Sequence, residues 1–144
     1  MGVANYWDTI SQDFGATQAT FTDTRIEVPK GRDNHFRLTL QINGVNVNFL
    51  VDTGASQVVL TQEDAMRVGL NPDDLAYIHT AMTANGEVAT APVRLDRVTL
   101  GDITDTRVRA SVNSGDMGSS LLGMSYLSRF DSIEIRQDVL ILNR

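Results

Sequence analysis

In the stretch Asn48-Phe49-Leu50-Val51-Asp52-Thr53-Gly54-Ala55-Ser56, one carboxylate stands at the end of an apolar run, where a strand should turn polar and end. A carboxylate just beyond a buried strand loses hydration unless donors surround it, and Thr53, Gly54 and Ser56 can offer hydroxyl and backbone N–H groups to its ionised form. So placed, Asp52 could exchange protons with a bound water. Asp-Thr-Gly is also an ordinary turn sequence, because Asp and Gly are favoured in turns for reasons unconnected with chemistry. Taken alone, the triplet leaves both readings open.

Other chemistries find less support. His35 and His79 are the only histidines and have no ligand-like spacing to each other, and the chain has no cysteine, so no metal site is expected. No serine sits in a Gly-x-Ser-x-Gly elbow. The stretch Gly115-Asp116-Met117-Gly118-Ser119-Ser120 lacks the lysine of a phosphate-cradling loop and reads as a plain loop. A formal charge of −6 over 144 residues argues against nucleic acid or an anionic membrane surface as partner, since both demand clustered Lys and Arg. No apolar stretch approaches the roughly twenty residues of a membrane span.

The elements that would have to position Asp52 are short strands. Phe36, Leu38, Leu40 and Ile42 alternate with polar residues, Asn43-Gly44 supplies a type I′ turn, and Val45, Val47, Phe49 and Val51 continue the alternation. This hairpin delivers Asp52 at its far end. Val58–Leu60 reads as a buried strand, Thr61 and Asp64 cap a helix through residues 62–68, and Gly69 is its stop. Asn71-Pro72 caps another short turn. A second hairpin is expected around Asn85-Gly86, a third around Gly101-Asp102, and a last one over residues 132–142. Leu122, Tyr126 and Phe130 have helical spacing, and the charge pairs around residues 94–97 and 105–109 read as solvated strand faces. Residues 1–24 are polar and unpatterned, a tether or loosely docked extension with Tyr6 and Trp7 as its sizeable anchors, and residues 25–144 form one domain.

With these motifs in this order, the chain from about residue 25 to 144 resembles the retropepsin-like aspartic proteases, and most of all the bacterial branch whose protease domain follows a membrane anchor. The resemblance rests on "FLVDTGAS", the preceding "HFRLTLQINGVNVN", and the later "TANGEVATAPVRLDRVTLG" and "SSLLGMSYLSRF". It implies a mostly β, closed barrel-type lobe with one or two short helices, acting as a homodimer on peptide or protein substrates, without a cofactor. It also implies that Asp52 is the catalytic aspartate, with Thr53, Gly54 and Ala55 in its loop and Ser56 as the hydroxyl that bonds the outer carboxylate oxygen. Met82, Thr83, Ala84, Asn85 and Gly86 would form the substrate-covering flap, and Leu121, Leu122 and Gly123 the element packed behind the active-site loop. Asn34 departs from the pattern, standing where the family would have glycine. Periplasmic exposure, with an inner-membrane anchor outside this chain, is implied by the same likeness.

Aspartic proteolysis needs two carboxylates, one to take a proton from water and one to give a proton to the scissile carbonyl. One Asp-Thr-Gly per chain therefore requires a second copy, with Gly54 permitting close approach of the two loops. Two full negative charges about 3 Å apart repel by about 5 kcal/mol at an effective dielectric near 20, so the pair must share a proton through much of the acid range. A bell-shaped, acid-shifted rate profile is the expectation. Met82 and Val88 could line the cleft or equally pack beneath their hairpin. The competing function is a module of the same fold that grips an extended peptide, or dimerises, without cutting.

Overall fold

The computed structural model describes residues 19–84 and 86–144. In chain order its first strands are β1 (Thr20–Thr22), β2 (Arg25–Pro29), β3 (Arg37–Ile42), β4 (Val45–Val51) and β5 (Val58–Leu60). Helix α1 (Gln62–Arg67) precedes β6 (His79–Thr83), β7 (Gly86–Leu100), β8 (Ile103–Asn113) and β9 (Ser120–Leu122). Helix α2 (Met124–Leu127), β10 (Ser132–Arg136) and β11 (Val139–Asn143) complete the chain. Two compact units result, one of Thr39–Ser128 and one joining the chain up to Leu38 with Arg129–Arg144.

The second of these is a four-stranded antiparallel sheet in the order β1-β2-β11-β10. Strand β11 is interior, pairing with β2 from Val139↔Pro29 to Asn143↔Arg25 and with β10 from Val139↔Arg136 to Asn143↔Ser132. That placement agrees with its composition, because Leu140, Ile141 and Leu142 are all buried. The β10–β11 turn uses Gln137 (φ 51°) and Asp138 (φ 64°), the left-handed pair a type I′ turn requires even without glycine. Strand β1 carries the sheet back to Thr20, beyond the Arg25 boundary expected from sequence; Tyr6 and Trp7 lie outside the described residues. Asn34 adopts φ 69° in a turn where its N–H donates to the Gly31 carbonyl at 3.0 Å. Asparagine is the common alternative to glycine in that conformation, which accounts for the departure from the family pattern.

The larger unit is a sheet in the order β3-β4-β9-β5-β8-β7-β6, closed by further pairing of β3 with β7 at Gln41↔Thr99 and Ile42↔Val98. Its first hairpin turns at Asn43 (φ 52°) and Gly44 (φ 85°), as a type I′ turn should. Leu40, Ile42, Val47 and Phe49 are fully buried, so the alternation read from sequence is the inside-outside alternation of these strands. Thr61 caps α1 by accepting the Asp64 N–H at 3.0 Å. At the other end Leu70 N–H reaches the Ala65 carbonyl and Gly69 N–H the Met66 carbonyl, with Gly69 at φ 98°, a Schellman stop. Asn71 caps the turn at Pro72–Asp74 as expected. The helical spacing of Leu122, Tyr126 and Phe130 overstates the helix. Leu122 is the last residue of β9, and α2 spans only Met124–Leu127 because pairing with β4 holds the preceding residues extended.

Candidate active site

Strand β4 runs parallel to β9, with Leu50 opposite Leu121 and Val51 opposite Leu122. Asp52 is the next residue, and its N–H donates to the Leu122 carbonyl at 3.0 Å. The loop then closes on itself: Ala55 N–H donates to the Asp52 carbonyl at 3.1 Å, and Gly54 N–H donates to Asp52 Oδ1 at 2.9 Å. A β-carbon on Gly54 would stand 3.2 Å from that carboxylate oxygen, so glycine keeps the amide at bonding distance without crowding the side chain.

The same turn decides what Ser56 can do. Because the turn closes at Ala55, Ser56 falls one residue beyond it and is exposed. Among the described residues Ser56 makes no hydrogen bond to Asp52; the donor to the carboxylate is the backbone of Gly54. Thr53 and Gly54 are exposed and Asp52 is half-buried, leaving the carboxylate open to solvent on one side.

Behind the loop, Met124 N–H donates to the Ala55 carbonyl at 2.8 Å. Gly123 packs against the carbonyls of Gln57 and Ala55 so closely that an added β-carbon would overlap the first and lie 2.7 Å from the second. Ser125 ties the base together, its hydroxyl accepting Val58 N–H at 2.9 Å and donating to the Arg109 carbonyl at 2.7 Å. Leu122 and Gly123 are buried here, whereas Leu121 reaches the cleft.

That cleft has a volume of about 1100 Å³, with Asp52, Gly54, Ala55 and Ser56 on one side and Met82, Thr83, Ala84 and Val88 of the β6–β7 hairpin on the other. Met82 is 78% exposed. At the hairpin's end Thr83 pairs with Gly86, which adopts φ 109°, and Thr83 Oγ1 donates to the Gly86 carbonyl at 2.7 Å. Asn85 lies outside the described residues. Both Met82 and Val88 line the cleft, and Val88 also packs on the loop after β8, where a β-carbon on Gly115 would meet its Cγ1 at 3.2 Å.

No sequence motif points to the polar part of the lining. Thr90, Ser111 and Asn113 are buried polar residues of β7 and β8 that face the cleft, and Arg109, Asp116 and Met117 join them. Their strand alternation resembles that of a solvated face, yet they are buried, beside the loop 114–119 that also lines the cleft. That loop is pinned to β7 by Ser114, whose N–H and hydroxyl both donate to the Ala89 carbonyl, at 3.0 and 2.7 Å. Among the described residues no cluster of three His, Cys, Asp or Glu side chains is placed to hold a metal, and no helix is long and apolar enough to cross a membrane.

The larger unit thus presents one carboxylate on a braced turn, facing a β-hairpin across a cleft, the layout the sequence resemblance leads one to expect. Residues 38–129 match the family model described as "gag-polyprotein putative aspartyl protease". A crystal structure of a retropepsin-like aspartic protease from Rickettsia conorii is 42% identical, covers 82% of this chain and 98% of its own, and superposes with a TM-score of 0.77. The EIAV protease complexed with the inhibitor HBY-793, at 21% identity, shares the fold with a TM-score of 0.57 over 69% of this chain and 90% of its own. An uncharacterized protein encoded in the cobV 5′ region of a Sinorhizobium species is 42% identical over 88% of this chain, which spans about half (56%) of that relative's length. The chain belongs to the retropepsin-like aspartic proteases.

Proposed function

We propose that this protein is an aspartic endopeptidase that hydrolyses peptide bonds between the Asp52 carboxylates of two copies of the chain. The observation that carries the proposal is the placement of Asp52: held by Gly54 N–H, braced from behind by Leu122 and Gly123, and open to a cleft of about 1100 Å³. Such bracing fixes a carboxylate for proton transfer instead of leaving it to move with a surface turn.

In this mechanism no covalent intermediate forms. Ionised Asp52 of one copy takes a proton from a water held between the carboxylates, while protonated Asp52 of the other donates to the scissile carbonyl oxygen. The new carbon–oxygen bond gives a tetrahedral gem-diol. Its collapse breaks the carbon–nitrogen bond as the Asp52 protonated by the water gives that proton to the leaving nitrogen and the other Asp52 takes one from a gem-diol hydroxyl, restoring the singly protonated pair. Residues 79–93 act as the flap, pairing with the substrate backbone as an added strand and excluding bulk water. Residues 1–24 are assigned to an N-terminal extension whose last residues, Thr20–Thr22, add an edge strand to β2. An inner-membrane anchor beyond this chain and exposure to the periplasm are supported by the resemblance to the anchored bacterial branch.

The test is the initial cleavage rate of a mixed peptide library near pH 5 to 6 as protein concentration rises, with Asp52→Asn alongside. The expected rate climbs more steeply than linearly at low concentration and is absent in the variant. Peptide binding with no cleavage at any concentration would assign the cleft to a binding module instead.

A further inference from the structure

Strands β7 and β8 pair in unbroken register from Thr90↔Asn113 through Pro92↔Ser111 to Arg94↔Arg109. Residues two apart on a strand share a face, so these three pairs form one row. Thr90, Pro92, Ser111 and Asn113 line the cleft, and Arg109 continues the lining at the end of the row. Directly across from Arg109 stands Arg94, and both are exposed. Like charges directly opposite on neighbouring strands repel and weaken the pairing. Among the described residues neither guanidinium has a carboxylate within 4.0 Å, although acidic residues outnumber basic ones 18 to 12 in the chain. Arg109 is also held at its main chain, where its carbonyl accepts from Ser125, so the charge is carried on a fixed strand beside the active-site loop. The other ionisable groups lining the cleft are Asp52, His79 and Asp116.

We infer that Arg109, reinforced by Arg94, forms a subsite that selects an acidic side chain on the bound peptide. The inference rests on the reading of the cleft as a peptide site and names the chemistry it prefers at one end. A carboxylate there relieves the repulsion between the two arginines and gains charge-assisted hydrogen bonds from Arg109, which the planar guanidinium can make in pairs. Arg109 touches the peptide; Arg94 acts by adding to the local positive field.

The test uses peptides that differ by glutamate or glutamine at successive positions, assayed at about pH 6, where glutamate is ionised. Binding is measured on Asp52→Asn, which leaves the peptide intact, and kcat/KM on the unaltered protein. The expected result is a preference of about fivefold for glutamate at one position. Arg109→Gln should abolish it, Arg109→Glu reverse it, Arg94→Gln reduce it, and salt near 1 M suppress it by screening. Equal affinity for the two peptide series, or a preference that survives Arg109→Gln, overturns the inference. Cleavage without acid preference removes this subsite and leaves the protease; acid preference in binding without cleavage removes the protease and leaves the subsite. No peptide binding at all overturns both.

Discussion

Gly123 has no room for a side chain: a β-carbon built on it would overlap the carbonyl oxygen of Gln57 and stand 2.7 Å from that of Ala55. Neither obstacle is a flexible side-chain end, because both oxygens belong to the backbone of the loop that follows Asp52. Gly123→Ala must therefore push the active-site loop away from α2, loosening the Met124 to Ala55 hydrogen bond. The expected outcome in urea unfolding is a loss on the order of 2–3 kcal/mol, with cleavage falling by more than the unfolded fraction explains.

Ser120 is fully buried and carries two bonds at once, accepting Thr61 N–H at 3.1 Å and donating to Asp64 Oδ2 at 2.6 Å. Asp64 is the residue whose own N–H Thr61 caps, so β9 is stitched into the start of α1. Ser120→Ala leaves a buried amide and a carboxylate oxygen without that partner, and should cost about 1–3 kcal/mol. Combined with Asp64→Asn the loss should be less than the sum, because the two changes break one network. A strictly additive double-mutant cycle would show that the network is not cooperative.

Met82 is 78% exposed, yet it lines the cleft opposite the Asp52 loop. Met82→Ser should leave the urea midpoint unchanged. Under the endopeptidase reading it should raise KM several-fold, since a flexible apolar side chain that now meets water would meet substrate. An unchanged KM would exclude Met82 from substrate contact.

Hydrogen bonding to the Arg37 guanidinium holds the Asp33 carboxyl below its ordinary value of 3.8. A depressed carboxylate pKa stabilises the folded state above the unfolded value, and the contribution disappears as pH falls through the folded one. The difference in unfolding free energy between the unaltered protein and Asp33→Asn should therefore be larger at pH 6 than at pH 2. It should also be small, because the pair is exposed to solvent. A difference of the same size at both pH values would rule out an ionised Asp33 as its source.

Which parts were legible in the sequence follows from how local their causes are. The Asn43-Gly44 turn, the Thr61 cap and the Gly69 stop depend on residues within a few positions of each other, and each forms as expected. The misreadings at Leu122 and along the cleft walls have distant causes, whereas the one at Ser56 is local. Leu122 is extended because β4, some seventy residues earlier, pairs beside it. Ser56 misses the carboxylate because the turn closes on Ala55, a detail of backbone geometry that the triplet does not encode. Thr90, Ser111 and Asn113 look like solvent-facing positions, yet they are buried, beside the loop 114–119 that also lines the cleft. The carboxylate was visible; the walls around it were not.

Strand β11 has both edges hydrogen-bonded within its own chain, to β2 and to β10. The C-terminal strand is therefore interior to its own sheet, whose edges are β1 and β10. If two copies complete the active site, a dilute population is dormant. Proteolysis then becomes a vote between molecules: one alone is silent, and two in the same place act, with local abundance as the switch.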